Sequence, residues 1–265
     1  MSQIFRFAEK CLSMLVTVAL IAGCSADNSD MNNKPELLVY CGITMVKPIT
    51  RIARIIEKAQ DVRIHINQGG SEDLYQSLKA SRVGDLYLPG SAYYRERHLD
   101  EGLMTEYVHV GYNQAALLVD KGNPKSVTPD LQQLLRQDLD VVLCSHEVGS
   151  IGRESKKLLE SANIYNQVLQ RAIYLTSDSR NLNGALKQGD ADLIINWRAT
   201  AFFEENRETM DVIDLDPGLA IPKKLLLNLL TFSKHPDVSR RFMEYAASEE
   251  GQAIFRQYGF LDNRN

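Results

Sequence analysis

The sequence predicts an α/β fold of parallel, helix-covered sheets, arranged as two units in one chain. Two observations carry this. Short apolar runs alternate with segments of helical periodicity in the order β-α-β-α-β, and that order restarts near residue 115. The chain has 265 residues, of which 44% are hydrophobic and 24% charged, enough for two modest domains with real cores.

The elements follow in order. Leu37-Leu38-Val39-Tyr40-Cys41 is continuously apolar, as in a strand covered on both faces. Over 46–59, Val46, Ile49, Ile52, Ala53 and Ile56 mark one face of a helix, and Lys47, Arg51, Arg54, Glu57 and Lys58 fill the other. Val62-Arg63-Ile64-His65-Ile66 alternates like a strand, Gly69-Gly70 opens a helix over 71–80, and Asp85-Leu86-Tyr87-Leu88 forms a third strand. In the second unit, strands are expected over 115–119, 141–144, 173–175 and 193–195, with helices over 153–161 and 181–187. A late strand over 225–232 precedes a mostly helical stretch over 238–258.

Composition removes several classes. A net charge of −4 and the absence of a Lys/Arg block argue against nucleic acid as a partner. The apolar content excludes whole-chain disorder. No run of about 18 apolar residues occurs, so a multispanning membrane protein is excluded. Residues 1–23 instead resemble a lipoprotein signal peptide: Arg6 and Lys10 precede an apolar stretch ending in Ile21-Ala22-Gly23-Cys24, followed by a polar tract. That resemblance implies cleavage after Gly23, a lipid on Cys24 and a flexible linker over 24–36. Cys41 and Cys144 then remain as thiols; free thiols are favoured over a disulfide, and a metal site with His146 is disfavoured.

Several segments resemble the periplasmic substrate-binding proteins of ABC importers, specifically the molybdate-binding-protein-like family. They are Leu37 to Thr44, Gly69-Gly70-Ser71, Gly84 to Leu88, Gly189 to Trp197, and Ser248 to Phe260, in the family's order. The resemblance implies the type II periplasmic-binding-protein fold: two lobes, each a mainly parallel sheet flanked by helices, joined by two crossover strands. Lobe 1 would hold 37–110 plus 222–265, lobe 2 would hold 111–221, and the C-terminal helix would pack back on lobe 1. It also implies capture of a small molybdate- or tungstate-like oxyanion, delivery to an ABC permease, and a monomer without cofactors in the periplasm, anchored to the outer rather than the inner membrane.

An oxyanion can be held by backbone N–H groups and hydroxyls at helix N-termini, where unpaired amides and the helix dipole both favour negative charge. Thr44, Gly70 and Ser71 would donate from lobe 1. Ile151, Gly152, Ser179, Arg180 and Trp197 would answer from lobe 2. The Thr, Ser and Gly among these positions also read as ordinary helix caps. The family's Ala-Ser pair is Ile43-Thr44 here, and its Tyr is Trp197. Arg153, Arg180 and Arg198 lie beside site positions, and an arginine in the cleft would favour phosphate or a phosphonate. The alternatives are a same-fold receptor for phosphate, sulfate or a phosphonate without a permease, and a hydrolase or transferase using His146, Glu147 and Ser150. No catalytic motif surrounds His65, His98, His109, His146 or His235, so no catalytic residue and no metal ligand is assigned. Cys24→Ala is expected to abolish membrane fractionation at the processed size. Unchanged fractionation and size would overturn the lipidation reading.

Overall fold

The structure, a computed structural model, describes residues 34–262. The expected signal peptide, Cys24 and most of the linker lie outside the described residues. Two five-stranded sheets form the frame. In the first, β1 (Glu36–Gly42), β2 (Arg63–Gly69), β3 (Leu86–Leu88), β4 (Met104–Asn113) and β10 (Lys223–Leu230) lie in the order β2-β1-β3-β10-β4. In the second, β5 (Ala115–Asp120), β6 (Val141–Cys144), β7 (Leu175–Thr176), β8 (Leu193–Trp197) and β9 (Met210–Ile213) lie in the order β7-β6-β8-β5-β9.

The sheets are mixed, not mainly parallel as expected. β1 runs parallel to β2 and β3, but β10 is antiparallel to both β3 and β4. The second sheet repeats the pattern: β6 is parallel to β7 and β8, while β5 is antiparallel to β8 and β9. Helical crossovers make the parallel pairs. β4 carries the chain out of the first sheet and β10 carries it back, so those two must run oppositely. Gln114 is the only residue between β4 and β5, and its Nε2 donates to the returning segment at Ala220 O, 3.0 Å away.

Helices α1 (Val46–Gln60), α2 (Ser71–Ser81), α3 (Tyr93–His98), α7 (Pro236–Ala247) and α8 (Glu249–Gln257) go with the first sheet. The second carries α4 (Ser150–Ser161), α5 (Tyr165–Arg171) and α6 (Ser179–Gln188). Helix α1 buries Ile49, Ile52, Ala53 and Ile56, the face its periodicity marks. These pack with Val39, Cys41, Leu225, Leu227, Phe242 and Phe255, so both C-terminal helices close one face of the first sheet. Tyr40 alternates to the other face and joins Tyr75, Leu78, Tyr87 and Tyr94.

Three departures from the periodicity have local causes. The expected helix over 238–258 breaks because Ser248 caps α8, accepting from Gly251 N–H at 3.2 Å. The expected strand at 173–175 is shifted to Leu175–Thr176; Ile173 N–H still donates to Val141 O at 2.9 Å, but this is an edge and Ile173 is exposed. β4 has no clean alternation because a bulge opposite Leu225 and Leu226 shifts its register next to Gly111, whose φ of +151° suits glycine.

Phe242 is fully buried between α7 and the first sheet. Phe242→Ala is expected to cost about 3–5 kcal/mol in urea unfolding. A loss under about 1 kcal/mol would show that α7 is not part of that core.

Candidate functional site

The site is assembled where strands end and helices begin. Gly42-Ile43-Thr44-Met45 follows β1, Gly69-Gly70-Ser71 follows β2 and Gly90 follows β3. Gly149-Ser150-Ile151 and Asp178-Ser179 come from the second sheet, after β6 and β7. These thirteen residues enclose one small pocket of about 10 Å³, close to the space that one water occupies. Four helix starts, those of α1, α2, α4 and α6, therefore face one point from two sheets. Helix starts carry unpaired amides and the positive end of the dipole.

Close approach requires glycine. A Cβ on Gly90 would sit 2.3 Å from Ser150 Oγ, and one on Gly70 would sit 3.3 Å from Val148 O. The hydroxyls are aimed by their neighbours. Gly90 N–H donates to Ser71 Oγ at 2.9 Å, and Trp197 Nε1–H donates to Ser150 Oγ at 3.2 Å. Each serine oxygen thus accepts from the protein and keeps its own proton for another partner. Tyr87 Oη donates to Ser71 O at 2.7 Å and holds the start of α2 from below. Asp178 caps α6, its Oδ1 accepting from Arg180 N–H at 2.8 Å and Asn181 N–H at 2.9 Å.

Of the residues expected from sequence, Thr44, Gly70, Ser71, Ile151 and Ser179 line this pocket. Three do not. Gly152 gives its N–H to the Cys144 sulfur, and a Cβ there would lie 2.1 Å from Ser145 O, so it is a packing glycine. Arg180 has its amide taken by Asp178 and its guanidinium on Gln68 Oε1 at 2.8 Å. Trp197 is buried behind Ser150 and positions it. Sequence reasoning assigned no role in the site to Gly90 or Asp178. Asp178 before α6 had the signal of an N-cap, whereas Gly90 had none, because its closeness to Ser150 spans 60 residues of chain.

The arginines stay out of this pocket. Arg153 stacks on the Tyr93 ring at 3.8 Å, and Arg198 pairs with Asp214 at 2.8 Å. His146 Nδ1 lies 3.2 Å from Tyr165 Oη and Ser150 is engaged by Trp197, so these two do not form a nucleophile–base pair. Among the described residues no group of three or more His, Cys, Asp or Glu could hold a metal. Contacts tie the two sheets' elements across the cleft: Lys223 Nζ to Glu154 Oε1 at 3.0 Å, Arg180 to Gln68, and Lys47 to Glu205.

Residues 37–261 match the family of bacterial extracellular solute-binding proteins. The chain belongs to that family. It is 22% identical over 254 residues to YvgL of Bacillus subtilis (strain 168), named for the ABC transporter substrate-binding lipoproteins, covering 94% of this chain and 96% of that one. The Azotobacter vinelandii periplasmic molybdate-binding protein superposes with a TM-score of 0.75 at 11% identity, over 85% of this chain and 98% of its own. The sulfate-binding protein SubI from Mycobacterium tuberculosis H37Rv gives 0.75 at 14%, over 87% and 88%. Other structures of this fold are named for thiamin, iron and L-phospholactate. The protein is thus an extracytoplasmic solute-binding protein of the type II fold, with a binding rather than a catalytic role.

Cys41 and Cys144 are separate buried thiols. Burial raises the pKa of both, Cys144 up to about 12. At pH 8 almost no thiolate is present at either, so Cys41 and Cys144 are expected to resist Ellman's reagent in the native protein and to react only on unfolding. Rapid native labelling would overturn this burial.

Proposed function

We propose that this solute-binding protein holds a tetrahedral oxyanion group between its two lobes and delivers its ligand to an ABC importer, tethered through a lipid on Cys24 outside the cytoplasm. The observation that carries the reading is the convergence of four helix N-termini on one pocket with serine and threonine hydroxyls and no cationic side chain in its lining. An oxyanion offers only acceptors, and this lining offers mainly donors: Thr44, Ser71, Ser150 and Ser179 hydroxyls with the amides of the first turns. Ser71 and Ser150 are already oriented by Gly90 and Trp197, which lowers the ordering cost of binding. Asp178 faces the same pocket but spends Oδ1 on two helix amides, which reduces its repulsion of an anion. Molybdate or tungstate is the ligand that the family resemblance implies. The geometry itself speaks for the oxyanion group.

Binding between the two lobes couples the ligand to an open–closed equilibrium. Donors come from both sheets, and only the closed form brings them together. A fitting oxyanion is expected to raise the melting temperature and reduce the radius of gyration together, with stabilisation of about 2.7 kcal/mol at a hundredfold excess over Kd. Ser71→Ala is expected to weaken binding by about tenfold or more while the fold persists, since one charge-assisted hydrogen bond is lost. If molybdate, tungstate, sulfate, phosphate and methylphosphonate all leave melting and scattering unchanged, the oxyanion reading fails.

A further inference from the structure

Beside the small pocket lies a second cavity of about 560 Å³, inside the volume range of small-molecule sites. The two share Ile43, Thr44 and Ser179 as walls, so the larger one begins where the smaller one ends. Helix α6 runs along it: Ser179, Asn183, Gly184 and Lys187 are spaced to lie on one side of the helix, and all line the cavity.

The charges differ sharply between the two spaces. The small pocket has no cation in its lining, and the large one has Lys47, Arg180 and Lys187. Lys47 is neutralised by Glu205. Arg180 is bonded to the neutral Gln68 Oε1 at 2.8 Å. Lys187 donates to Glu205 backbone O at 3.1 Å and Asn206 Oδ1 at 3.4 Å. Among the described residues, neither Arg180 nor Lys187 makes a salt bridge with a carboxylate. Glu205, which also lines the cavity, faces both Lys47 and Lys187, so three cations share one carboxylate and the lining keeps a net positive charge, which disfavours a cationic ligand and favours an anionic one. A bare tetrahedral anion would leave this space and both charges unused.

We propose that the ligand has two parts: a tetrahedral oxyanion head in the small pocket, and a short organic tail ending in a carboxylate, which passes between Thr44 and Ser179 to reach Arg180 and Lys187. The chemical class is a small carboxylated phosphonate or phosphate ester. This rests on the oxyanion reading above, and the test separates the two.

The probes are phosphate, methylphosphonate, 3-phosphonopropionate and succinate, titrated by calorimetry into the folded protein. 3-Phosphonopropionate is expected to bind about tenfold or more tighter than methylphosphonate, the gain of one charge-assisted contact. Lys187→Gln is expected to reduce that gain. Gly184→Leu is expected to remove it by filling the cavity, while phosphate affinity stays unchanged. A Cβ at Gly184 meets only Gln188 Nε2, at 3.6 Å, so the substitution fits the backbone. Equal affinities for 3-phosphonopropionate and methylphosphonate would overturn the tail and leave the head reading standing. Succinate binding as tightly as 3-phosphonopropionate would remove the head from the two-part ligand and so overturn it. Binding of none of the four would overturn the two-part ligand, whereas the oxyanion reading falls only if molybdate, tungstate and sulfate fail as well.

Discussion

The contact between Gly90 and Ser150 sets the geometry of everything around the cleft. Gly90 follows β3 of the first sheet and Ser150 opens α4 of the second, and no side-chain atom fits between them. Gly90 also donates to Ser71, and Ser150 accepts from Trp197. One line of contacts therefore runs from the indole under the second sheet, across the cleft, to the start of α2. A Cβ at position 90 would lie 2.3 Å from Ser150 Oγ and 3.0 Å from its Cβ, so any side chain there forces Ser150 to move. This is a glycine backbone packed on a serine side chain, and it ties residues behind the pocket to those that line it.

Polar groups near the cleft divide their work between structure and recognition. Asp178 and Trp197 face inward yet spend their polar atoms on the start of α6 and on Ser150. The small pocket is left with hydroxyls and amides, which suit an acceptor-rich group without the heavy desolvation cost of a buried cation. Positive charge is placed one step away, on α1 and α6, where a larger space is available. Lys47–Glu205 and Lys223–Glu154 join the two walls, the latter with a buried glutamate. These pairs favour the arrangement of the two walls seen in this structure.

Much of the frame was legible in the sequence because burial imposes periodicity. The apolar positions of α1 and the five-residue run of β1 follow directly from which faces meet the core. Two helix starts were legible too, since Ser71 follows Gly70 and Ser179 follows the capping Asp178. β4 was missed because its bulge and exposed residues erase alternation, and α8 was merged with α7 because Ser248 interrupts the helix without changing its apolar face.

The sequence by itself determined two α/β units and the order β1-α1-β2-α2-β3 that opens the first of them, since these depend on local propensity and on periodic burial. Only the tertiary structure decided that the sheets are mixed, that Gly90 meets Ser150, that Trp197 stands behind the site and that Gly152 serves packing. It also decided that Arg180 and Lys187 share a cavity beside the small pocket. Those facts depend on distances between segments far apart in the chain, and a strand's direction or a side chain's partner is fixed by what the returning chain brings against it.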